Sequence, residues 1–380
     1  MNIETIAPSK ALIDLERIKK KRVNLAIFGH GNVGAKLIDQ IIEAKTGIYS
    51  RRNLDLNIFA IANSKTVLLN ADGIEADWQD TKRHKGTDYA PEEVIGFAKQ
   101  HNLENLVLID NTANSTFVKH YTSFVENGFS LVSSNKIGNT LGLNFYNELR
   151  QILKTNNKEY LYETNVGAGL PLVDTIKLLH RSGENITRIK GVFSGSLSYI
   201  FNAYSENNEQ FSTVLREAIC KGFTEPDARE DLCGNDVGRK LLILARELDL
   251  YVEFEDIAIE NLIPKSLRKV SKDRFLESLA DFDVPFHIKR INQKPDHVLR
   301  YIGDLRGDLS KHDGAILEVA LVSVPKNSML GQLKGSDSLF EIYTESYGKN
   351  PIVIQGAGAG AAVTARGVFG DILRLSDKLN

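Results

Sequence analysis

Two clusters of residues have types and spacings that could do chemistry. Gly29, Gly31 and Gly34 form the pattern GxGxxG, with His30, Asn32 and Val33 between them. The apolar run VNLAIF at 23–28 precedes the pattern, and Leu37, Ile38, Ile41 and Ile42 follow it at helical spacing. A strand that ends in such a turn and feeds a helix suits a dinucleotide. Gly29 permits the tight turn, Gly31 lets a pyrophosphate approach the backbone, Gly34 lets helix and strand pack closely, and the helix N-terminus offers unpaired N–H groups. Ordinary βα units also use glycine turns, which is the competing reading.

The second cluster lies in 222–247, where Glu225, Asp227, Glu230, Asp231 and Asp236 precede Lys240. Asp236 and Lys240 are four apart, so on a helix both project from one side, next to Ile243. Taken alone this is a solvated loop followed by a surface ion pair worth roughly 0.3–0.5 kcal/mol.

Cofactor choice should show just beyond the second strand, LNIFAIA at 56–62. An acidic residue there would hold both ribose hydroxyls of NAD. The chain reads Ala62, Asn63, Ser64, Lys65 instead. A polar pair and a cation favour the 2′-phosphate of NADP(H), leave NAD(H) open, and are matched by the plainer reading of Lys65 as an exposed loop residue.

The elements that must position these residues alternate. Further strands are expected at 106–110 and 130–134, with helices at 91–100, 116–127 and 144–154, which predicts an α/β, Rossmann-type doubly wound parallel sheet covered on both faces. Near residue 160 a strand runs into a glycine-rich turn with Pro171 suited to a first helical turn. Beyond it come a strand at 186–193, helices near 197–206, 211–221 and 236–249, and strands at 298–305 and 315–323, an α+β pattern. The segment 351–380 again reads strand, glycine turn, helix. The expected organisation is a nucleotide-binding domain over 1–160 completed by 351–380, and a second domain over 161–350 for substrate binding and dimerisation.

At 380 residues, two domains suit the length. With 47 basic against 49 acidic residues the net charge is −2, which recommends neither nucleic acid nor an anionic membrane as partner. The run Lys19, Lys20, Lys21, Arg22 reads as a solvated charge cluster before the first strand. Cys220 and Cys233 form neither a metal pair nor a redox CxxC, and no histidine pair has metal-ligand spacing. With no apolar stretch of membrane-span length, a cytoplasmic protein with a small-molecule ligand is expected.

Nine segments, GHGNVG, IANSK, DNTANS, SSNKIGNT, ETNVGAGLP, FSGSLSYIFN, GFTEPDAREDL, NDVGRKLLILARE and QGAGAGAAVTARGV, occur in the order found in homoserine dehydrogenases. Together they span nearly the whole chain after about residue 20, and the chain resembles that family in its short, monofunctional form, without aspartokinase or C-terminal regulatory modules. The resemblance implies reversible NAD(P)H-dependent interconversion of aspartate semialdehyde and homoserine, in threonine, methionine and isoleucine biosynthesis, by a homodimer. Because the sequence stops after the helix near Leu375 with no added module, millimolar threonine is expected to leave the rate nearly unchanged. It implies Lys240 as proton donor, Lys136 as a second lysine near nicotinamide and substrate, and Glu225 and Asp236 as substrate contacts. An alkoxide forming as hydride adds needs a proton or a cation, and the substrate ammonium needs carboxylates. Asp231 fits the ammonium end with Glu225, and Ser196, where many relatives have threonine, could donate to the substrate carboxylate. Thr112, Gly222 and Gly360 match cofactor-pocket positions. Glu163 and the carbonyls of Val166, Ala168 and Leu170 match a loop for sodium or potassium, against which stands a tight connection held by a helix cap. Ser133, Ser134 and Ile137 depart from the family pattern around Lys136. Another semialdehyde or a 2-hydroxy acid as substrate, and a nucleotide sensor without turnover, stay open as rival readings.

Overall fold

A computed structural model describes residues 21–206 and 208–379; Lys19 and Lys20 of the charge run lie outside the described residues. Lys21 and Arg22 are within the first strand, and Arg22 pairs with Asp55 at 2.8 Å. The first sheet contains β1 (Lys21–Phe28), β2 (Leu54–Ala62), β3 (Thr66–Leu69), β4 (Thr87–Asp88), β5 (Leu106–Asp110), β6 (Ser130–Ser133) and β7 (Tyr160–Leu161), in the order β4-β3-β2-β1-β5-β6-β7. β2, β1, β5, β6 and β7 are parallel, as expected, while β3 and β4 add an antiparallel edge that the sequence pattern did not show. All nine residues of β2 and the last six of β1 are buried, which is why these strands are apolar on both faces instead of alternating.

The helix Asn32–Arg52 packs Leu37, Ile38 and Ile41 on one face of this sheet together with Val368, Phe369 and Ile372 of the helix Ala361–Ser376. The other face is covered by Val94 and Ala98 of the helix Pro91–Gln100 and by Phe124 and Leu149 from later helices. The sheet is therefore doubly wound. Successive strands go to opposite sides of β1, toward β2 and then β5, so a crevice opens at the carboxyl ends of these strands, where the glycine turn lies.

A second sheet is built from β8 (Ile186–Val192), β9 (Ala258–Ile259), β10 (His297–Gly307), β11 (Ala315–Pro325), β12 (Ser338–Thr344) and β13 (Ile352–Gly356), in the order β13-β12-β8-β10-β11-β9. The helices Gly195–Glu206 and Asn235–Arg246 pack Leu197, Phe201, Leu241 and Leu244 into its core. Among the described residues no helix is long and apolar enough to cross a membrane.

The structure corrects one expectation about 351–380. Its strand does not join the first sheet: β13 pairs antiparallel with β12, register Ser338 with Gly356 through Ile342 with Ile352. A connection of seven residues favours pairing with the preceding strand. Only the helix Ala361–Ser376 returns to the first sheet, after the turn at Gly356–Gly360.

Ile372 is fully buried between that helix and the sheet. Ile372→Ala is expected to destabilise the protein by about 2–5 kcal/mol in denaturant unfolding. A loss below about 0.5 kcal/mol would show that the helix does not complete this core.

Candidate active site

The glycine turn has the geometry that its spacing demands. Gly29 has φ +84°, and a Cβ there would come within 2.8 Å of the Asn111 carbonyl group. At Gly34 a Cβ would lie 1.9 Å from the Gly29 carbonyl oxygen, so only glycine lets the helix start so close to β1. Gly31 faces open space, with nothing within 4 Å of its virtual Cβ. A cleft of about 550 Å³ is lined here by Gly29, His30, Gly31, Asn63, Ser64 and Thr112, with Phe28, Tyr89 and Phe117 supplying apolar wall. Asn32 is exposed in the first helical turn, and half-buried Val33 packs against the core beneath it.

The Asn63 side chain shapes the turn after β2, its Oδ1 accepting from Lys65 N at 2.9 Å and Thr66 N at 2.8 Å. Ser64 lines the cleft, whereas Lys65 is exposed beside it. Sequence reasoning passed over Lys82. This buried lysine on the helix Trp78–Lys85 donates to the Thr66 carbonyl at 2.9 Å and to Thr66 Oγ1 at 2.6 Å, and forms no ion pair among the described residues. Burial lowers its pKa, and burial followed by the charge of Lys82 lowers that of His30, whose Nε2 is buried without a partner. The run KRHK looks like solvated surface. The available signal was Lys82 standing four residues after buried Trp78, on the same helical face.

Thr112 is shared by the cofactor cleft and a second cleft of about 550 Å³, whose walls include Ser134, Lys136, Glu230, Asp236 and Arg239. Both loops that meet there are tied to Asp110. Its carboxylate accepts from Thr112 N at 2.7 Å, Tyr121 Oη at 2.6 Å and Asn135 Nδ2 at 3.0 Å. Burial raises the Asp110 pKa, against the lowering by these donors.

Asp236, on the wall of the second cleft, stands between two lysines from different parts of the chain, of which Lys136 lines that cleft and Lys240 does not; nor do Glu225, Asp231 and Ser196. Lys240 Nζ lies 2.7 Å from one carboxylate oxygen and Lys136 Nζ 3.5 Å from the other. Lys240 is largely buried and also donates to the Phe193 carbonyl at 2.8 Å. Burial would raise the Asp236 carboxyl, but the charges of Lys240 and Lys136 outweigh it and hold the group well below the usual carboxylate range. The Asp236 side chain is 47% exposed and that of Lys240 only 11%, so the lysine of the pair is buried and its carboxylate faces solvent.

The other carboxylates divide by partner. Asp231 accepts from Ser196 Oγ at 2.6 Å and from Glu225 N at 2.9 Å, and Ser196 also meets Ser194 Oγ at 2.8 Å. In this arrangement the Ser196 hydroxyl is directed at Asp231, which latches the loop carrying Glu225. Burial raises the Asp231 pKa; burial, then Asp231, Glu230 and Asp236, raise that of Glu225. Asp227 pairs with Arg229 at 2.6 Å. Gly222 at φ +72° and Gly360 at φ +121° hold turns that only glycine adopts readily, but neither lines the two clefts.

At the turn NVGAGLP, buried Glu163 accepts from Val173 N at 2.7 Å and Asp174 N at 3.0 Å, capping the helix Val173–Arg181. Glu163 N donates to Asp371 at 3.0 Å, and burial followed by the Glu163 charge raises the Asp371 carboxyl to about 8. The Leu170 carbonyl accepts from Leu172 N at 2.9 Å, while those of Val166 and Ala168 accept no hydrogen bond among the described residues. The helix cap is therefore present, and Arg374 Nη2 lies 3.6 Å from the same Glu163 carboxylate.

Residues 171–373 match the family model described as homoserine dehydrogenase, and 29–163 match the model of the homoserine dehydrogenase NAD binding domain. The chain is 37% identical over 369 residues to the chloroplastic bifunctional aspartokinase/homoserine dehydrogenase 1 of Zea mays, matching over 95% of its own length but spanning only 39% of that protein. It is 36% identical to the homoserine dehydrogenase of Saccharomyces cerevisiae, with 94% of this chain and 99% of that one covered. A crystal structure of a Candida auris protein of unknown function superposes with a TM-score of 0.85 at 31% identity, covering 94% of this chain and 99% of that one. Family models thus meet a nicotinamide-nucleotide turn at one end and the Lys136–Asp236–Lys240 cluster at the other, and the chain belongs to the homoserine dehydrogenase family.

Proposed function

We propose that this chain catalyses the reversible NAD(P)H-dependent reduction of L-aspartate 4-semialdehyde to L-homoserine, in threonine, methionine and isoleucine biosynthesis. The observation that carries this reading is Asp236 bridging Lys240 and Lys136 in a cleft that shares Thr112 with the nucleotide cleft. The nicotinamide, when bound, supplies the hydride to the aldehyde carbon or takes it back. Lys240 Nζ gives its proton to the new alkoxide oxygen and recovers it in the reverse direction. Asp236 orients Lys240, and Lys136 adds a second positive charge beside the developing anion. Glu225 receives the substrate ammonium, aided by Asp231, which also fixes the loop. Ser196 would donate to the substrate carboxylate only after its hydroxyl turns away from Asp231, which it meets at 2.6 Å.

The turn residues Gly29, Gly31, Asn32, Val33 and Gly34 present helix N–H groups to the pyrophosphate, with Asn63, Ser64 and Thr112 along the cleft; Gly222 and Gly360 are assigned to the cofactor by their family positions alone, since neither lines that cleft. We assign the preference for NADP(H) over NAD(H) to Lys65 together with Lys82, a buried cation lacking a counter-ion. Glu163 with the carbonyls of Val166, Ala168 and Leu170 would hold sodium or potassium as a structural aid. We assign nucleotide binding to residues up to 160 with the helix Ala361–Ser376, and substrate binding and dimerisation to 161–350. Exposed Ile316 and Met329, beside half-buried Val322 and Val324, suit pairing of two chains through the second sheet.

Lys240→Ala is expected to lower turnover by a factor of ~100 to ~10,000 while leaving NADPH affinity unchanged. Parallel turnover and cofactor-binding measurements check this, and turnover within about threefold of the parent would remove Lys240 from the chemical step.

For the cofactor, Lys82→Gln and Lys65→Glu are each expected to raise the KM for NADPH by about tenfold or more and that for NADH far less, because a charged hydrogen bond to phosphate is lost. Equal changes for both cofactors would show that these lysines only support the turn.

The raised pKa values of Glu225 and Asp231 set a pH dependence. Ammonium binding needs ionised carboxylates, and these protonate at higher pH than ordinary ones. As pH falls, the KM for homoserine should therefore begin to climb before the ordinary carboxylate range of ~4 is reached. A KM that stays flat until the ordinary carboxylate range would count against this pair as the ammonium site.

A further inference from the structure

A third cleft, of about 570 Å³, shares no residue with either site described above. It lies where the last turns of the helices Leu143–Thr155, Val173–Arg181 and Asn235–Arg246 converge near β7. Its carboxylates are all engaged. Glu247 accepts from the Tyr162 hydroxyl and meets Lys177 Nζ at 3.4 Å, Asp249 meets His180 at 3.0 Å, and Glu159 meets Lys378 at 3.1 Å.

The cations of the same wall are in excess. Arg150, Lys154, Lys158 and Arg181 form no ion pair with a carboxylate among the described residues. Arg150 is the most telling of them. Its guanidinium lies over the Tyr146 ring at 4.1 Å, and its Nη2 donates to Asn139 Oδ1 at 2.7 Å and to Tyr162 Oη at 3.0 Å. Its Nη1 is buried with no hydrogen-bond partner among the described residues, although the Tyr160 and Tyr162 rings also lie 5.2 and 5.3 Å from the guanidinium. A buried charged donor left without an acceptor is costly unless something else supplies one.

Lys154 and Arg181 each stand in the last turn of a helix, where a cation complements the helix dipole. That accounts for part of the charge but not all of it. Three helix C-termini bring about half a negative charge each, roughly −1.5 together, and Asp249 adds about one more because its partner His180 is charged only when protonated, against four unpaired cations. A surplus of roughly 1.5 positive charges remains, and two of the four groups are guanidiniums, whose planar forks match the oxygens of carboxylate or phosphate.

We propose that this cleft binds a small dianionic oxyanion, of the phosphate-ester or dicarboxylate class, at a site separate from cofactor and substrate. Arg181 grips the oxygens, the buried Arg150 adds its charge from within the wall, Lys154 and Lys158 add point charges, and the Tyr146 ring flanks the ligand.

The test is calorimetric titration of the protein saturated with NADP+, so that an anion cannot report on the nucleotide cleft. Inorganic phosphate and succinate are titrated separately at constant ionic strength, with chloride as the reference salt. At least one of them should bind saturably, and the tighter one identifies the ligand class. Lys154→Gln/Arg181→Gln should weaken that binding by about tenfold or more and leave NADP+ affinity unchanged. Both side chains are exposed, so the melting temperature without anion should match the parent and certify the fold. Absence of saturable binding by phosphate and succinate alike, or equal affinity in the double variant, would overturn the proposal.

Discussion

Two ammonium groups brought close together repel each other unless an anion stands between them, and Asp236 is that anion. Its oxygens are divided between Lys240, one turn along the same helix, and Lys136, which arrives from the loop after β6. The strength of the arrangement lies in the difference between two attractions and one repulsion, so it depends on placement more than on any single contact. Lys136 is placed by its neighbour Asn135, which bonds buried Asp110. Lys240 is placed by the Phe193 carbonyl at the end of β8. Each lysine is thus fixed by the sheet on its own side, and Asp236 is where the two sheets agree.

A similar logic holds around Asp231. A carboxylate that accepts from both Ser196 and the Glu225 backbone joins the start of one helix to an exposed loop, which leaves Glu225 facing solvent on a restrained backbone. Binding groups on loops need such anchors, because an unrestrained loop must first lose conformational freedom on binding. The same division of labour, with one buried carboxylate ordering the backbone and another group left available, recurs at Asp110 and Thr112 and at Glu163 with the open carbonyls of Val166 and Ala168.

The doubly wound sheet and the glycine turn were legible in the sequence because both depend on local signals. Apolar runs mark strands buried on two faces, and the Gly29, Gly31, Gly34 spacing encodes close approaches that the structure shows directly. The Asp236–Lys240 pairing also follows from helical spacing. What the sequence hid depends on distant partners. The bridge from Asp236 to Lys136 crosses one hundred positions. Lys82 sits in a basic run that looks solvated until Trp78 and Thr66 are seen to enclose it. The direction of the Ser196 hydroxyl is decided by Asp231, thirty-five residues on. β13 carries a pattern that fits either sheet, and only its pairing with β12 assigns it.

The return of the helix Ala361–Ser376 to the first sheet has a consequence for how the chain is made. Roughly three hundred residues separate it from the helix Asn32–Arg52, beside which it packs. At about 5–20 residues per second, a ribosome leaves that face of the first sheet without its second helix for on the order of 15–60 s. Throughout that interval Leu37, Ile38 and Ile41 lack the cover of Val368, Phe369 and Ile372. The nucleotide-binding end is synthesised first but finished last, so the nascent chain presents an apolar face that a holding chaperone could recognise until the second sheet has emerged.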